Sequence, residues 1–503
     1  MVKSSLWTAG GSVLSLLVAT VATVAVARFL GPTEFGQYAL YALLLGLLPA
    51  LTDLGFTHTI ARRASLSIGS GDVAALRHAV GMQLGWSLAR LPLAAAATLI
   101  VLPLTEGVVA VTASLLSMVG TSSAQLLGAR ADAKVAVMLN VIGNGGSSVV
   151  AIVLASQHAS PATVYSYPLL ATALAAAALL LVADKDVSRM QRVRPRLPRI
   201  PRADVSFALG SWFTSQLGNF VSTRTEILFF KAGQQLSRGQ FTAGLTIAQR
   251  STTAVDALFG PLSAALIIKG SGSQSELDVA TGRSLRLTGL LCLAVMPGLT
   301  AASVFLAYPL FGKGFAGIGL SAVLPLTLAS VFSTALQPVF SYYFARKIVL
   351  PNTVGAVLGV IADVALAVVL IPPYGLLGAV IASIGSDVAL LGTLLWFLIR
   401  DGRLRQPVLH HIKLLLVACG ATTVVVVGAG LTLNGTTAPV RSGGGLLAAG
   451  LLTVVLLNRF PVLADEDRAV VATLAPGRLS GAISTVLART APAPKYLQKC
   501  TDR

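Results

Sequence analysis

Charged residues are scarce in this chain of 503 residues. Asp, Glu, Lys and Arg together make up 11% of it, whereas soluble proteins carry roughly 25%. Hydrophobic residues make up 55%, and the mean hydropathy is +0.80. Apolar runs long enough to cross a hydrocarbon core, about 20 residues each, recur from Gly10 to Arg459. The scarcity of charge excludes a soluble protein and predicts a polytopic membrane protein.

Cysteine is nearly absent, and the motifs of soluble catalytic domains are missing. Cys292, Cys419 and Cys500 have no metal-binding or redox spacing. The glycine clusters at 143–146 and 443–445 lack the strand and lysine of a phosphate-binding loop. There is no His-Glu-x-x-His motif and no nucleophile elbow. We therefore expect no enzyme activity, no cofactor and no metal.

Acidic residues are few, at 19 against 37 basic ones, so the net charge is +18. In a soluble protein this balance would suggest nucleic acid as a partner. Here the cations fall in the loops between apolar runs, where they set topology and attract anionic headgroups. The pattern favours membrane lipids as partners and argues against nucleic acid.

The longest polar interruption before the tail runs from Lys185 to Arg202 and carries seven cations against the single acid Asp186. Prolines at 195, 198 and 201 favour an extended, solvated linker over a helix. Positive loops resist translocation, so we expect this hinge in the cytoplasm, and both termini with it. At the opposite face the pattern leaves only Arg28, Lys231, Arg238, Lys313 and Arg441.

The hydropathy pattern predicts an all-α protein of about fourteen transmembrane helices. We expect them at 10–30, 35–56, 80–103, 107–128, 134–157, 161–183, 205–230, 240–268, 285–308, 319–345, 351–372, 375–399, 412–433 and 442–459. The predicted domains are an N-terminal six-helix lobe (1–184), the basic hinge (185–204), a C-terminal six-helix lobe (205–400), two additional helices (401–460) and a cytoplasmic tail (461–503).

The two lobes show a short internal match. Arg28 precedes the motif Gly36-Gln37-Tyr38 as Lys231 precedes Gly239-Gln240-Phe241, at the same offset. An even number of spans separates the copies, so both enter the membrane from the same face. This arrangement predicts parallel repeats related by an axis along the membrane normal.

Polar residues recur at steps of three and four along several predicted helices, as they do in helices that line a cavity. The stripes include Gln83, Ser87 and Arg90; Asn140 and Asn144; Asn219 and Glu226; Gln249 and Asp256; and Ser330, Ser333 and Gln337. Small polar residues also join helices in static bundles. Stripes in both lobes favour a shared water-filled cleft.

Ionisable residues at membrane depth cost about 3 kcal/mol or more each and are candidates for function. The deepest are Arg90, Arg224, Glu226, Arg250, Asp256, Asp363 and Asp387, with Arg28 and Asp53 nearer the rims. Arg224 lies about 160° around the helix from Glu226, so it pairs with another helix, snorkels outward or faces the cleft. Asp363 and Asp387 fit paired structural residues and cation sites equally well.

Three segments resemble the oligosaccharide-lipid (polysaccharide) flippases of the multidrug/oligosaccharidyl-lipid/polysaccharide exporter superfamily. The most specific of the three is the opening, which reads Ala27-Arg28-Phe29-Leu30-Gly31-Pro32-Thr33-Glu34-Phe35-Gly36-Gln37-Tyr38. It is followed by Asp53-Leu54-Gly55-Phe56 and Arg62. Arg224-Thr225-Glu226 is similar to the family's Arg-x-Asp, with Glu in place of Asp, and 371–379 is similar to its junction between spans eleven and twelve. At Asp363 the family more often has asparagine.

The resemblance implies two lobes that rock around a cationic cleft in the bacterial cytoplasmic membrane, moving an oligosaccharide linked to polyprenyl pyrophosphate. Arginine binds pyrophosphate bidentately, and polar side chains bind sugar. The expected substrate-binding residues are Arg90, Arg250, Arg224, Arg28, Gln83, Asn140, Asn144, Asn219 and Gln249. The expected ion-coupling residues are Glu226, Asp256, Asp53 and Asp363. Polysaccharide polymerases or glycosyltransferases are the expected protein partners.

Two alternatives stay open from the sequence. A drug or cation antiporter of the same superfamily would favour an acidic cleft without arginines. A membrane enzyme or scaffold of cell-wall assembly would be expected to carry acids on sizeable outer loops, whereas the predicted outer loops are short and hold little beyond Glu34 and Glu106.

Overall fold

The computed structural model describes residues 2–53, 60, 73–129, 133–183, 195–196, 212–213, 217, 225–249, 274–312, 315, 317–346, 348, 350–402, 405–433 and 438–459. Every regular element among them is a helix, as predicted. The chain divides into two compact units, Met1–Thr242 and Ala243–Arg503. The predicted lobe boundary at the hinge stays a prediction, because most of 185–204 lies outside the described residues.

The first unit is built on five long helices. They are α1 (Val2–Asp53), α2 (Val73–Val101), α3 (Leu104–Ala129), α4 (Ala133–Ser156) and α5 (Pro161–Ala183). Helix α1 packs along α4, while α3 and α4 both pack on α5. Helix α6, described over 235–249, follows two short 3₁₀ turns, Thr225–Phe229 and Ala232–Gln234.

Helix α1 contains two predicted spans, 10–30 and 35–56, joined at Gly31. Gly31 has φ 72° and ψ 171°, a conformation that is essentially restricted to glycine. Pro32 follows and has no N–H to continue the helical hydrogen bonds. The chain therefore turns here without an intervening loop.

The second unit contains the remaining helices, of which α8 begins after a π-helical turn at Gly319–Val323. They are α7 (Gln274–Phe311), α8 (Leu324–Ala335), α9 (Gln337–Ala345), α10 (Leu350–Tyr374), α11 (Leu376–Asp401), α12 (Arg405–Thr432) and α13 (Ala438–Arg459). The predicted span 319–345 is thus broken into three pieces. The break at Leu336 is explained by Pro338, which has no N–H and whose ring clashes with the carbonyl four residues earlier.

Helices α10 and α11 form a tight antiparallel hairpin around Gly375, which has φ 53°. Helix α7 packs against both α12 and α13. One apolar cluster joins α7, α8, α12 and α13 around Cys292, Met296 and Leu415. Another joins α7, α9 and α11 around Leu285, Tyr342 and Leu394.

A polar network ties three helix ends of the second unit together. Arg346 donates to Asp401 Oδ2 at 2.7 Å and to the Tyr342 hydroxyl at 3.2 Å. Tyr342 in turn donates to Asp278 Oδ1 at 2.9 Å. These contacts link α7, the end of α9 and the last residue of α11.

Seven helices in the described part of the chain are long and apolar enough to cross a membrane. They are Gly81–Val101, Leu277–Ala307, Gly319–Tyr343, Leu350–Tyr374, Leu376–Asp401, Val408–Thr432 and Val440–Leu457. Shorter apolar helices occur at Leu104–Leu116 and Gly145–Ser156. The chain is an all-helical polytopic membrane protein, and the predicted count of fourteen spans is compatible with these helices.

Candidate functional site

Helix α2 carries a buried polar face in the first unit. Gln83 and Ser87 have 6% and 4% of their surface exposed, and Arg90 is half-buried one turn further along. The spacing of four and three residues places all three on one side of the helix. This face combines an amide, a hydroxyl and a guanidinium, all of which can form hydrogen bonds to a polar ligand.

The hinge touches the same helix at its predicted cytoplasmic end. The Arg196 N–H donates to the Gly81 carbonyl at 2.8 Å, and Arg196 Nη1 donates to His78 Nδ1 at 3.2 Å. A Cβ atom at Gly85 would overlap the Arg196 carbonyl group. The two glycines, one turn apart, let the linker backbone lie directly on α2.

Changing Gly85 to Ala is expected to displace this part of the hinge, because the added methyl overlaps backbone rather than a flexible side chain. Tryptic cleavage after the hinge arginines should become several-fold faster, as followed by gel analysis of membranes under limited proteolysis. Gly145→Ala is the matched control, since it makes the same change inside α4 with open space around the new Cβ. Equal cleavage rates in the two variants would show that Gly85 does not hold the hinge.

Glu226 lies in the 3₁₀ turn Thr225–Phe229 and has no exposed surface. The predicted span 205–230 therefore ends in a 3₁₀ turn rather than a continuous α-helix. Thr225 and Ile227 beside it are buried too. A 3₁₀ turn has about 3.0 residues per turn, so Thr225–Phe229 presents its side chains at a different spacing from that of an α-helix.

Two buried carboxylates occupy the same stretch of the α10–α11 hairpin. Asp363 and Asp387 have 2% and 5% of their surface exposed. A Cβ at Gly355 would lie 3.0 Å from the Leu390 carbonyl oxygen, and one at Gly385 would overlap the Leu366 side chain. Asp363 lies between Gly355 and Leu366 on α10. Asp387 lies between their contact partners, Gly385 and Leu390, on α11. The antiparallel register thus brings both acids to about the same depth, which their separation in sequence does not reveal.

An apolar cavity of about 440 Å³ lies beside this hairpin, between α8, α11 and α12. Phe332, Leu391 and Leu416 are among its lining residues, and Asp387 is the one acidic residue among them. Carbon atoms supply nearly all of its surface. Such a cavity accommodates a hydrocarbon chain rather than a saccharide.

The other candidate residues are dispersed or lie outside the description. Arg28 is exposed in the first half of α1, and Gln249 is exposed on α6. Asn140 and Asn144 lie on α4 and Asp53 ends α1, but their side chains are outside the described part. Four further candidates lie outside the described residues altogether: Asn219, Arg224, Arg250 and Asp256. The predicted cationic cleft as a whole therefore stays a prediction.

The opening of the chain matches a known family. Residues 1–70 match the model of a family described as polysaccharide biosynthesis protein. This match covers the segment Ala27–Tyr38 and confirms the resemblance predicted from it. No curated protein matches the full sequence.

Solved structures of membrane transporters match most of the chain. An inward-facing multidrug resistance MATE family transporter of the MOP superfamily is 13% identical with a TM-score of 0.56, covering 78% of this chain and 96% of its own. A lipid II flippase, MurJ, in an inward closed conformation is 13% identical with a TM-score of 0.50, covering 91% and 98%. The chain has the fold of these transporters.

A further MATE structure, in complex with Br-NRF, is 15% identical with a TM-score of 0.51 and covers 80% of this chain. At such identities the likeness establishes the transporter fold and leaves the substrate open. The buried acids and the polar face of α2 both lie on helices long enough to span the membrane.

Proposed function

We propose that this protein is a flippase that moves an oligosaccharide linked to polyprenyl pyrophosphate across the bacterial cytoplasmic membrane by alternating access. The observation that carries the substrate class is the match of residues 1–70 to the polysaccharide biosynthesis family. The similarity to a lipid II flippase over 91% of the chain supports it. Both termini lie in the cytoplasm in this proposal, together with the basic hinge.

In this proposal the pyrophosphate is bound by four arginines, Arg28, Arg90, Arg224 and Arg250. They donate charge-assisted hydrogen bonds, which are strongest where water is excluded. The saccharide is bound by five amide side chains, those of Gln83, Asn140, Asn144, Asn219 and Gln249. The buried α2 face supports it, since Gln83 and Ser87 are held away from lipid beside the arginine. The prenyl chain remains in lipid, and no covalent step is required.

The energy for directed transport comes from an ion or from the membrane potential in this proposal. The proposed coupling residues are four acids, Asp53, Glu226, Asp256 and Asp363. The burial of Glu226 and Asp363 supports the assignment, because a carboxylate at membrane depth is costly unless a proton or cation accompanies it. Polysaccharide polymerases or glycosyltransferases are the proposed protein partners.

A cation-coupled multidrug antiporter is the second candidate. Several MATE structures match with TM-scores of 0.51 to 0.56, and two acids are buried at one level of the α10–α11 hairpin. An organic cation would find its counter-charge there.

Deleting the gene and measuring polyprenyl-pyrophosphate saccharides in each membrane leaflet separates the two candidates, with dye efflux measured in parallel. We expect accumulation confined to the cytoplasmic leaflet, reversed by the wild-type gene. Lost dye efflux without accumulation would identify an antiporter. Accumulation in the outer leaflet would place the protein after translocation, as an enzyme or assembly factor.

A further inference from the structure

The apolar cavity between α8, α11 and α12 opens toward the membrane. Val388 on α11 and Leu416 on α12 both line it, and they have 64% and 58% of their surface exposed. Both helices are long and apolar enough to span the membrane, so exposed apolar side chains on them contact lipid rather than water. The mouth of the cavity therefore faces the hydrocarbon core of the bilayer.

The end of the cavity nearest the connection between α11 and α12 is closed. His411 Nε2 donates to the carbonyl of Ala335 at 3.1 Å, one turn beyond the lining residue Phe332. Leu398 and Val408 pack in one apolar cluster at the same end. The space is thus a pocket that is entered from the lipid side.

The wall of this pocket suits a hydrocarbon chain. Its volume of about 440 Å³ falls within the range of ligand pockets, roughly 300–1,000 Å³. Asp387 lines it, but polar atoms contribute almost none of its surface, so the wall is better suited to methylene groups than to an ammonium group. A carbon-lined space of this kind excludes water and gains dispersion contacts when a hydrocarbon fills it.

A lysine stands near the mouth. Lys413 is exposed on α12 one turn before Leu416. It follows Val408, the first residue of the span, by five residues, or roughly 7–8 Å along the helix. A lysine at that depth extends its ammonium group to the interface, where the phosphates of membrane lipids lie. A lipid whose phosphate pairs with Lys413 has its hydrocarbon chains beside Leu416.

We propose that this pocket binds one acyl chain of an anionic phospholipid from the leaflet at which α12 begins, and that Lys413 pairs with the phosphate. A single lysine suits a monophosphate headgroup, whereas a pyrophosphate favours the bidentate hydrogen bonds of arginine. The pocket lies in the second compact unit and the α2 face in the first. The lipid site is therefore distinct from the proposed pyrophosphate site, in which Lys413 takes no part.

The test uses a tryptophan on the pocket wall and lipids whose acyl chains carry bromine, which quenches indole fluorescence on contact. Phe332→Trp is introduced into the full chain after its native tryptophans are replaced by Phe, at Trp7, Trp86, Trp212 and Trp396. The protein is placed in phosphatidylcholine nanodiscs that contain brominated phosphatidylglycerol or brominated phosphatidylcholine as a minor component. We expect the apparent affinity for phosphatidylglycerol to be roughly fivefold higher, since a lysine near the surface attracts anionic lipid.

Lys413→Gln should abolish the preference for phosphatidylglycerol, and Lys413→Arg should keep it. Gly392→Phe should remove most of the quenching by either lipid, because Gly392 lines the pocket with open space around an added Cβ. Gly450→Phe is the matched control, as it makes the same change at an exposed glycine of α13 with equally open space.

Equal quenching by the two lipids in the parent, or a preference that survives Lys413→Gln, would overturn the headgroup assignment. Quenching that survives Gly392→Phe would show that the reporter contacts bulk lipid and would overturn the pocket. Relief of the quenching by unlabelled polyprenyl phosphate at the same mole fraction would assign the pocket to a prenyl chain instead. Should Gly392→Phe fail to fold, the exposed Lys413 variants still decide the proposal. No transport is measured, so an error in the proposed function would not affect the outcome.

Discussion

Replacing Arg90 by Ala is expected to weaken the binding of polyprenyl pyrophosphate by roughly 10- to 150-fold in Kd. The half-buried guanidinium continues the buried Gln83 and Ser87 face of α2, where hydrogen bonds to a diphosphate would be partly shielded from water. Losing a charge-assisted hydrogen bond costs about 1.5–3 kcal/mol, which corresponds to that range. Titration of the purified protein in detergent with the isolated lipid pyrophosphate measures the loss directly.

Two control variants sharpen this measurement. Arg90→Lys keeps the charge and removes the planar fork, so its affinity should fall between those of the parent and of Arg90→Ala. Lys413→Ala removes an exposed cation on α12, in the second compact unit, and should bind as the parent does. Parental affinity in both Arg90→Ala and Arg250→Ala, with normal membrane insertion, would contradict a cationic binding cleft.

Replacing Glu226 by Gln is expected to slow transport at least about tenfold and to remove its dependence on pH or on the ion gradient. Glu226 is completely buried in its 3₁₀ turn, and a carboxylate at membrane depth requires a compensating proton or cation. Gln has nearly the same shape but carries neither. The measurement is transport into proteoliposomes over a pH series, with and without an imposed cation gradient. Asp256→Asn is expected to act in the same direction.

Asp401→Asn is the matched control for the coupling variant. It also neutralises a carboxylate, but one that is partly exposed at the end of α11 and pairs with Arg346 at 2.7 Å. Such surface pairs are worth about 1 kcal/mol or less, so stability should fall slightly while pH dependence is retained. Full transport by Glu226→Gln and Asp256→Asn at every pH would eliminate both residues as coupling sites.

The sequence predicts the spans well where the apolar run begins and ends at strong local signals. The expected span 161–183 is helix α5, Pro161–Ala183. Ser160 accepts the Thr163 N–H at 3.2 Å, and Pro161 takes the first helical position, where no donor is required. The predicted span 134–157 is equally close, since α4 covers Ala133–Ser156.

Single-residue breaks inside a span are harder to predict from composition. Hydropathy alone does not distinguish the continuous α10 from the broken 319–345, because both have a high mean hydropathy. Pro338 and Gly31 lie at the two breaks. However, Pro92 and Pro168 lie within unbroken helices, so a proline alone does not specify where a span is interrupted.

The sequence by itself determined that this is a multi-span membrane protein with an opening like that of the flippase family, and it predicts internal repeats. An apolar segment in lipid must satisfy its backbone hydrogen bonds internally, so each long apolar run determines a helix without reference to its neighbours.

The tertiary structure decided that Gly36 meets Gly239 and that Arg196 meets Gly81, and it placed Asp363 and Asp387 at about the same depth. Lipid and protein interior are about equally apolar, so hydropathy does not encode which helix faces belong together. Close packing at small residues makes that choice, and it becomes apparent only when the helices are placed side by side.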